Sequence, residues 1–169
     1  TIEAGGEWNW CLDQPGDYVR QIYDHTYDWD LATWVTIDTP GETEPNINFD
    51  LELGGMISGV VTAESDGSLL DNIAVAAYRQ DGPDWNWADG LRTDDNGEYN
   101  LLLLPGTYRI EFWDDHHYVY LGEYFDNVPD FESATPIIVT IGSTESGIDA
   151  DLVEGGHITG FVFDDQGAP

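Results

Sequence analysis

The stretch NINFDLELGGMISGVV, residues 46–61, decides how this chain is interpreted because the chain contains it twice. It recurs about 101 residues later, in the form SGIDADLVEGGHITGFV, at residues 146–162. Both copies pass from alternating apolar and polar residues through a glycine pair into a second apolar run. Such self-similarity is typical of proteins built from stacked repeats, which more often provide length than catalysis.

The similarity extends upstream of both stretches. Three pairs of residues in the first part of the chain have the same mutual spacing as three later pairs. The pairs are Asp24-His25, Asp28-Trp29 and Ala32-Thr33, and the counterparts are Asp126-Asn127, Asp130-Phe131 and Ala134-Thr135. We therefore predict a partial first repeat at residues 1–55, a complete repeat at 56–154, and the first strand of a following repeat at 155–169.

Hydrophobic periodicity predicts strands and no helices. Residues 47–53 and 148–152 alternate apolar with polar side chains, which is the pattern of a strand with one face in a core. Turn sequences such as Asp94-Asp95-Asn96-Gly97 and Pro105-Gly106 separate the other apolar runs. Further strands are predicted at 57–63, 73–79, 99–104, 107–113, 118–124 and 137–141. The predicted fold is all-β: tandem antiparallel β-sandwiches, one complete copy flanked by partial copies.

A glycine pair marks each predicted joint between copies. Gly54-Gly55 and Gly155-Gly156 lie between the last strand of one copy and the first strand of the next. Glycine admits the backbone angles that a reversal between packed domains needs. Because the strands run almost directly into both pairs, we predict a stiff rod rather than domains on flexible linkers.

The composition excludes several classes of partner. Among 169 residues there are 34 acids and four bases, so the formal charge is −30, and every base is an arginine. Nucleic acids and anionic membrane faces would be repelled, and no apolar run is long enough for membrane insertion. Aromatic residues make up 13% of the chain, which argues for a folded acidic surface rather than disorder. A saline or calcium-rich extracellular setting would suit that surface.

The complete repeat resembles a known family. The runs that carry the resemblance are Ile57-Ser58-Gly59-Val60-Val61, Asp66-Gly67, Ile73-Ala74-Val75, Thr93-Asp94-Asp95-Asn96-Gly97-Glu98-Tyr99 and Leu104-Pro105-Gly106-Thr107-Tyr108. Together they resemble the carboxypeptidase regulatory-like domain. The resemblance implies a transthyretin-like β-sandwich, which is often found in tandem in secreted and cell-surface proteins of microbes, and a non-catalytic module.

Asp94, Asp95, Asn96 and Glu98 are the candidate metal ligands. Oxygen side chains grouped around a glycine turn suit calcium, which takes six to eight oxygen ligands. A tight hairpin requires Asp, Asn and Gly for backbone reasons alone, so a plain turn is the alternative. The acid pairs Asp114-Asp115 and Asp164-Asp165 are weaker candidates. No zinc-binding spacing, nucleophile elbow or phosphate loop occurs in the sequence, so we do not expect an enzyme.

Four tryptophans form two similar groups. Trp8 and Trp10, like Trp85 and Trp87, are separated by one asparagine and would lie on the same side of an extended segment. Such indole pairs could fill a sandwich core, contact another subunit, or stack on sugar rings. The sequence leaves these three interpretations open.

The phase of the repeat suggests how copies are joined. A donor strand containing Ile158, Gly160 and Val162 would find its acceptor at Ile47, Phe49 and Leu51 of another copy. Such head-to-tail contact does not close and produces a fibre, and a longer repeat chain would give the same linear product.

We therefore expect an extracellular structural protein, a repeat module of a microbial filament or surface stalk. Its main partner would be a second copy of itself. The alternative is a secreted adhesin-like or carbohydrate-binding module that binds glycans.

Overall fold

The computed structural model describes residues 3–4, 18–27 and 29–160. Within these ranges the chain forms eleven strands and two short 3-10 helical turns, Trp29–Leu31 and Phe131–Ser133. The strands are β1 (Glu3–Ala4), β2 (Gln21–Ile22), β3 (Gly55–Ala63), β4 (Ala74–Asp81), β5 (Asp84–Arg92), β6 (Glu98–Leu103), β7 (Gly106–Trp113), β8 (Glu123–Tyr124), β9 (Ile137–Val139), β10 (Thr144–Ser146) and β11 (Ala150–Leu152). The predicted all-β class is confirmed.

Strand β3 lies at the centre of the first sheet. It pairs antiparallel with β6, where Ile57 is opposite Leu101. On its other side it pairs in parallel with β10 and then with β11. The sandwich is therefore rich in antiparallel pairs but not wholly antiparallel, because the chain returns beside its own first strand after crossing to the second sheet and back.

The second sheet has the order β5-β4-β7-β8, and β9 also pairs with β7. Strand β5 was not among the predicted strands, because its acids, asparagine and glycine hide the usual alternation. A two-residue connection, Gly82-Pro83, joins it to β4, and Gly82 has a φ of 60°. Of the predicted strand at 118–124, only the last two residues form a strand, β8.

One hydrophobic core fills the space between the two sheets. Tyr99, Tyr108 and Phe112 are its largest fully buried side chains. The Tyr99 hydroxyl donates to the Ile148 carbonyl at 2.6 Å, and the Tyr108 hydroxyl donates to the Leu104 carbonyl at 2.6 Å. Burial raises the pKa of both phenols. Each buried hydroxyl is therefore neutral and hydrogen-bonded, as a core of this kind requires.

Residues 18–53 repeat the backbone of residues 120–154. The bridge between Tyr18 and Leu53 corresponds to the bridge between Tyr120 and Glu154. The two 3-10 turns occupy matching places, and three pairs of matching residues have positive φ. These pairs are His25 (55°) with Asn127 (55°), Gly41 (88°) with Gly142 (70°), and Asn46 (65°) with Gly147 (77°).

The two copies differ where a partner strand is required. Residues 144–152 form β10 and β11 on β3, whereas the matching residues 43–51 form no strand. The predicted strand at 47–53 is therefore wrong except for the bridge at Leu53. Its alternation persists, with Ile47, Phe49 and Leu51 half-buried between exposed polar residues. A strand needs hydrogen bonds from a neighbour, and the described residues provide none there.

No helical segment in the described part of the chain has the length and hydrophobicity required to cross a bilayer. The predicted domain boundaries after residues 55 and 154 stay predictions.

Candidate functional site

The contact of β3 with the end of its own copy shows how a repeat is closed. Two glycines of β3 leave no room for a side chain there. A Cβ atom on Gly55 would lie 2.2 Å from the Thr140 carbonyl oxygen, and a Cβ atom on Gly59 would lie 2.1 Å from the Ile148 carbonyl oxygen. Backbone oxygens cannot move aside as a flexible side chain can, so both positions must be glycine.

Hydrogen bonds complete this closure. The Met56 N–H donates to the Ser143 carbonyl at 2.8 Å. The Val60 N–H donates to the Asp149 carboxylate at 2.8 Å, at the point where the parallel pairing changes from β10 to β11. The Thr62 hydroxyl donates to the Asp151 carboxylate. Strand β3 is thus held by specific polar contacts as well as by apolar burial.

The predicted donor residues lie in a segment that leaves the sandwich. Ile158 is fully exposed, whereas its counterpart Ile57 is 0% exposed. Neither Gly156 nor Gly160 has an atom within 4 Å of the place where a Cβ would be. Val162 lies outside the described residues.

The predicted acceptor residues lie within residues 18–53, the segment whose turns and bridges match those of residues 120–154. Ile47, Phe49 and Leu51 are half-buried, and the Phe49 ring meets the edge of Tyr23 at a centroid distance of 6.0 Å. The structure does not bring the described donor residues, Ile158 and Gly160, to these acceptor residues within one chain. Their pairing between chains stays a prediction.

The joint between the two copies is packed. A Cβ atom on Gly54 would lie 2.8 Å from both the Leu103 carbonyl oxygen and a methyl group of Val19. The Val19 N–H donates to the Glu52 carbonyl at 2.8 Å. These contacts leave little space around the glycine pair, in keeping with the predicted stiff joint.

The tryptophans of β5 lie on the outer face of the second sheet. Trp85 is opposite Gln80 and Trp87 is opposite Tyr78, so both indoles lie on one face. Trp87 is 59% exposed, so it does not fill the core. The other predicted contacts, Trp8 and Trp10, lie outside the described residues.

Trp85 belongs to a cluster with Arg109 and Phe131 that the sequence did not predict. The Arg109 guanidinium lies 4.5 Å from the Trp85 ring centroid and 4.8 Å from that of Phe131. Arg109 also donates to the Glu132 carbonyl oxygen at 3.2 Å. The guanidinium lies against both rings, which meet each other edge-on, so it gains cation–π energy from each and keeps its hydrogen bond to Glu132. A rare base in so acidic a chain was the signal that could have drawn attention to it.

Two tyrosines beside this cluster donate hydrogen bonds to the same carboxylate, that of Glu111. Tyr78 donates to Glu111 at 2.7 Å and Tyr124 donates to it at 3.0 Å. Burial, and then the hydrogen bond to Glu111, raise the pKa of both phenols. Both hydroxyls therefore stay protonated donors, and the group braces strands β4, β7 and β8.

The candidate calcium ligands lie in the turn before β6. The Asp94 carboxylate accepts the N–H groups of Asn96 at 2.9 Å and of Glu98 at 2.8 Å. The Asn96 side-chain amide donates to the other Asp94 oxygen at 3.3 Å, and Asp95 is exposed. The described residues contain no cluster of three or more His, Cys, Asp or Glu side chains that could hold a metal. Calcium binding at this turn stays a prediction.

Other acidic side chains also accept hydrogen bonds from backbone N–H groups. Asp114 is 6% exposed and accepts four N–H groups from the loop after β7. An open cleft of about 300 Å³ beside Gly147 contains the carboxylates of Glu98 and Asp149. One oxygen of the Asp149 carboxylate accepts the Val60 N–H, so this acid too holds the backbone of β3.

Comparison with known proteins adds little to this geometry. No family model and no curated protein matches the chain. A DUF3823 family protein from Bacteroides uniformis has a TM-score of 0.42 at 14% identity, over 59% of this chain and 43% of its own. The C-terminal domain of the shaft pilin SpaA from Lactobacillus rhamnosus GG has a TM-score of 0.41 at 11% identity, over 62% of this chain and 100% of its own. Scores this low do not allow any function to be transferred.

Proposed function

We propose that this chain is a repeat module of an extracellular structural protein, a microbial filament or surface stalk. Copies are joined end to end, either by strand donation or as parts of a longer repeat chain. The observation that supports this proposal is the repeated backbone: residues 18–53 have the turns and bridges of residues 120–154, and among the described residues no strand pairs with them as β3 pairs with β10 and β11. Successive sandwiches related in this way extend in one direction.

The packed joint and the charge support the same proposal. Gly54 and Val19 hold the partial copy against the complete one, so neighbouring copies keep a fixed relation. A net charge of −30 keeps separate threads apart in water and favours an exterior where cations screen it. Asp94, Asp114 and Asp149 are occupied by backbone N–H groups, which suits a structural role better than a catalytic one.

Negative-stain electron microscopy of the purified chain tests the proposal. We expect threads whose length increases with protein concentration, and a chain without residues 157–169 should give single particles only. Unaltered threads in the shortened chain would defeat strand donation. Single particles from the unaltered chain at every concentration would show that it does not assemble by itself.

A glycan-binding role is the second candidate, and it rests on the exposed indole of Trp87. Stacking on a sugar ring requires an accessible aromatic face. If this role is correct, a glycan array should detect binding that Trp87→Ala abolishes. Trp85→Ala is the companion variant, because Trp85 is engaged with Arg109. A chain that binds no glycan on the array would leave only the structural proposal.

A further inference from the structure

The way β3 closes its own copy predicts how a second copy would close the incomplete one. We propose that residues 156–160 dock as a parallel strand onto residues 39–52 of a second copy of this chain. The inference rests on the proposed function and specifies its interface. The register is the one that β3 adopts on β10 and β11, transferred along the repeat.

The register determines which residues of the two copies would lie opposite each other. Within the complete copy Glu145 is opposite Ile57 and Ser146 is opposite Ser58. The repeat places Glu44 and Pro45 where Glu145 and Ser146 lie, and Ile158 and Thr159 where Ile57 and Ser58 lie. In the docked state Glu44 of one copy would therefore face Ile158 of the other. Ile158 would become buried, as Ile57 is.

The strongest support for this docking comes from two glycines, Gly156 and Gly160. Gly55 and Gly59 are required because carbonyl oxygens of the copy that they close approach them. Gly156 and Gly160 hold the same places in the repeat, yet no described residue comes within 4 Å of the place where a Cβ atom would be. Among the described residues, therefore, no contact requires glycine at these two positions. Docking would require it, because the backbone of residues 39–47 of the second copy would come equally close.

The turns of the acceptor already have the conformation that docking needs. The Glu42 N–H donates to the Thr39 carbonyl at 3.1 Å, as the Ser143 N–H donates to the Thr140 carbonyl at 3.1 Å. Asn46 has a positive φ, as its counterpart Gly147 does. Asn48 takes the place of Asp149, and its side-chain oxygen can accept a backbone N–H as Asp149 accepts that of Val60. Ordering the acceptor before contact lowers the entropic cost of association.

Cysteine pairs in the full chain test the register, with Cys11→Ser as background. Pro45→Cys with Thr159→Cys copies the pairing of Ser146 with Ser58, whose Cα separation in a sheet suits a disulfide. We expect oxidation to give a ladder of covalent oligomers on a non-reducing gel. Thr159→Cys with Asp50→Cys is out of register and should give no ladder. Equal ladders from both pairs, or none from either, would overturn the proposed register.

Valine at Gly160 tests the role of the glycines. A labelled peptide of residues 153–169 should bind the full chain, and a Gly160→Val peptide should bind at least tenfold more weakly. A Thr159→Val peptide is the matched control, because its counterpart Ser58 is half-buried on the side of β3 opposite the buried Ile57, and it should bind within about twofold of the unaltered peptide. Equal binding of the Gly160→Val peptide would overturn the proposed docking, even if microscopy shows threads. Selective binding without threads would support the docking and contradict the assembly of this chain into filaments by itself.

Discussion

Valine at position 59 is expected to prevent the complete sandwich from folding. The first carbon of any side chain there would lie 2.1 Å from the Ile148 carbonyl oxygen and 2.6 Å from its carbonyl carbon. To make room, residues 148–152 would have to leave β3, which would expose Ile148 and Leu152. Overpacking usually costs about 1–3 kcal/mol, and a clash with backbone on both sides belongs at or above the upper end of that range.

Urea unfolding followed by tryptophan fluorescence measures this effect. We expect the Gly59→Val chain to lose the cooperative transition, or its free energy of unfolding to fall by at least about 3 kcal/mol. That loss is a large part of the stability of a small domain. Gly160→Val is the matched control and should leave the transition of the dilute monomer unchanged, since nothing surrounds that residue. A Gly59→Val chain that unfolds at the midpoint of the unaltered protein would contradict the close approach of β3 and Ile148.

Replacing Asp114 is expected to give the second-largest loss. Its carboxylate accepts N–H groups from Val119 at 2.8 Å, His117 at 2.7 Å, Tyr120 at 3.3 Å and His116 at 3.2 Å. Burial raises the pKa of this carboxyl, but the four N–H groups outweigh burial and hold the pKa at about 2. Asp114→Ala would remove the acceptor of all four donors. We expect a loss of about 2–3 kcal/mol, because unsatisfied buried donors are costly.

The pH dependence of stability separates the charge from the packing. The folded pKa of Asp114 lies below its ordinary value of 3.8, so the stabilisation from its charge is fully present above about pH 4. It is lost as the pH falls from about 4 toward 2. The difference between a pKa of 3.8 and one of about 2 corresponds to about 2.5 kcal/mol. The difference in urea midpoint between the unaltered protein and Asp114→Asn should therefore shrink over that interval.

Asp95→Asn is the control for both measurements, because Asp95 is exposed. This substitution should change the free energy of unfolding by less than about 0.5 kcal/mol at any pH. A difference between the unaltered protein and Asp114→Asn that stays constant from pH 5 to pH 2 would contradict the charged hydrogen-bond cluster.

The outer face of the second sheet could be predicted only in part. The spacing of Trp85 and Trp87 predicted that both indoles lie on one side, and the register on β4 agrees. Which side they occupy, and that Arg109 lies against Trp85, depended on pairings between strands far apart in sequence. Periodicity reports alternation along a strand, but it carries no information about which strands become neighbours.

The candidate assembly site, too, could be predicted only in part from the sequence. The repeat and the glycine pairs were visible in the sequence, and they led to Ile47, Phe49 and Leu51 as acceptors and Ile158 and Gly160 as donors. The role of Gly55 and Gly59 was not visible. A glycine in a strand can mark a bulge, a bend or a close approach, and the carbonyl oxygens of Thr140 and Ile148 alone identify the close approach.

The sequence by itself determined the class of fold and the repeated plan, because a period of two and the punctuation by turn residues are local properties that survive without any tertiary contact. Only the tertiary structure decided which of the repeated segments are strands. Residues 148–152 and 47–51 have the same alternation, yet only the first lies beside β3, and only there does the backbone find hydrogen-bond partners. A strand is completed by its neighbour, so its sequence is necessary but not sufficient.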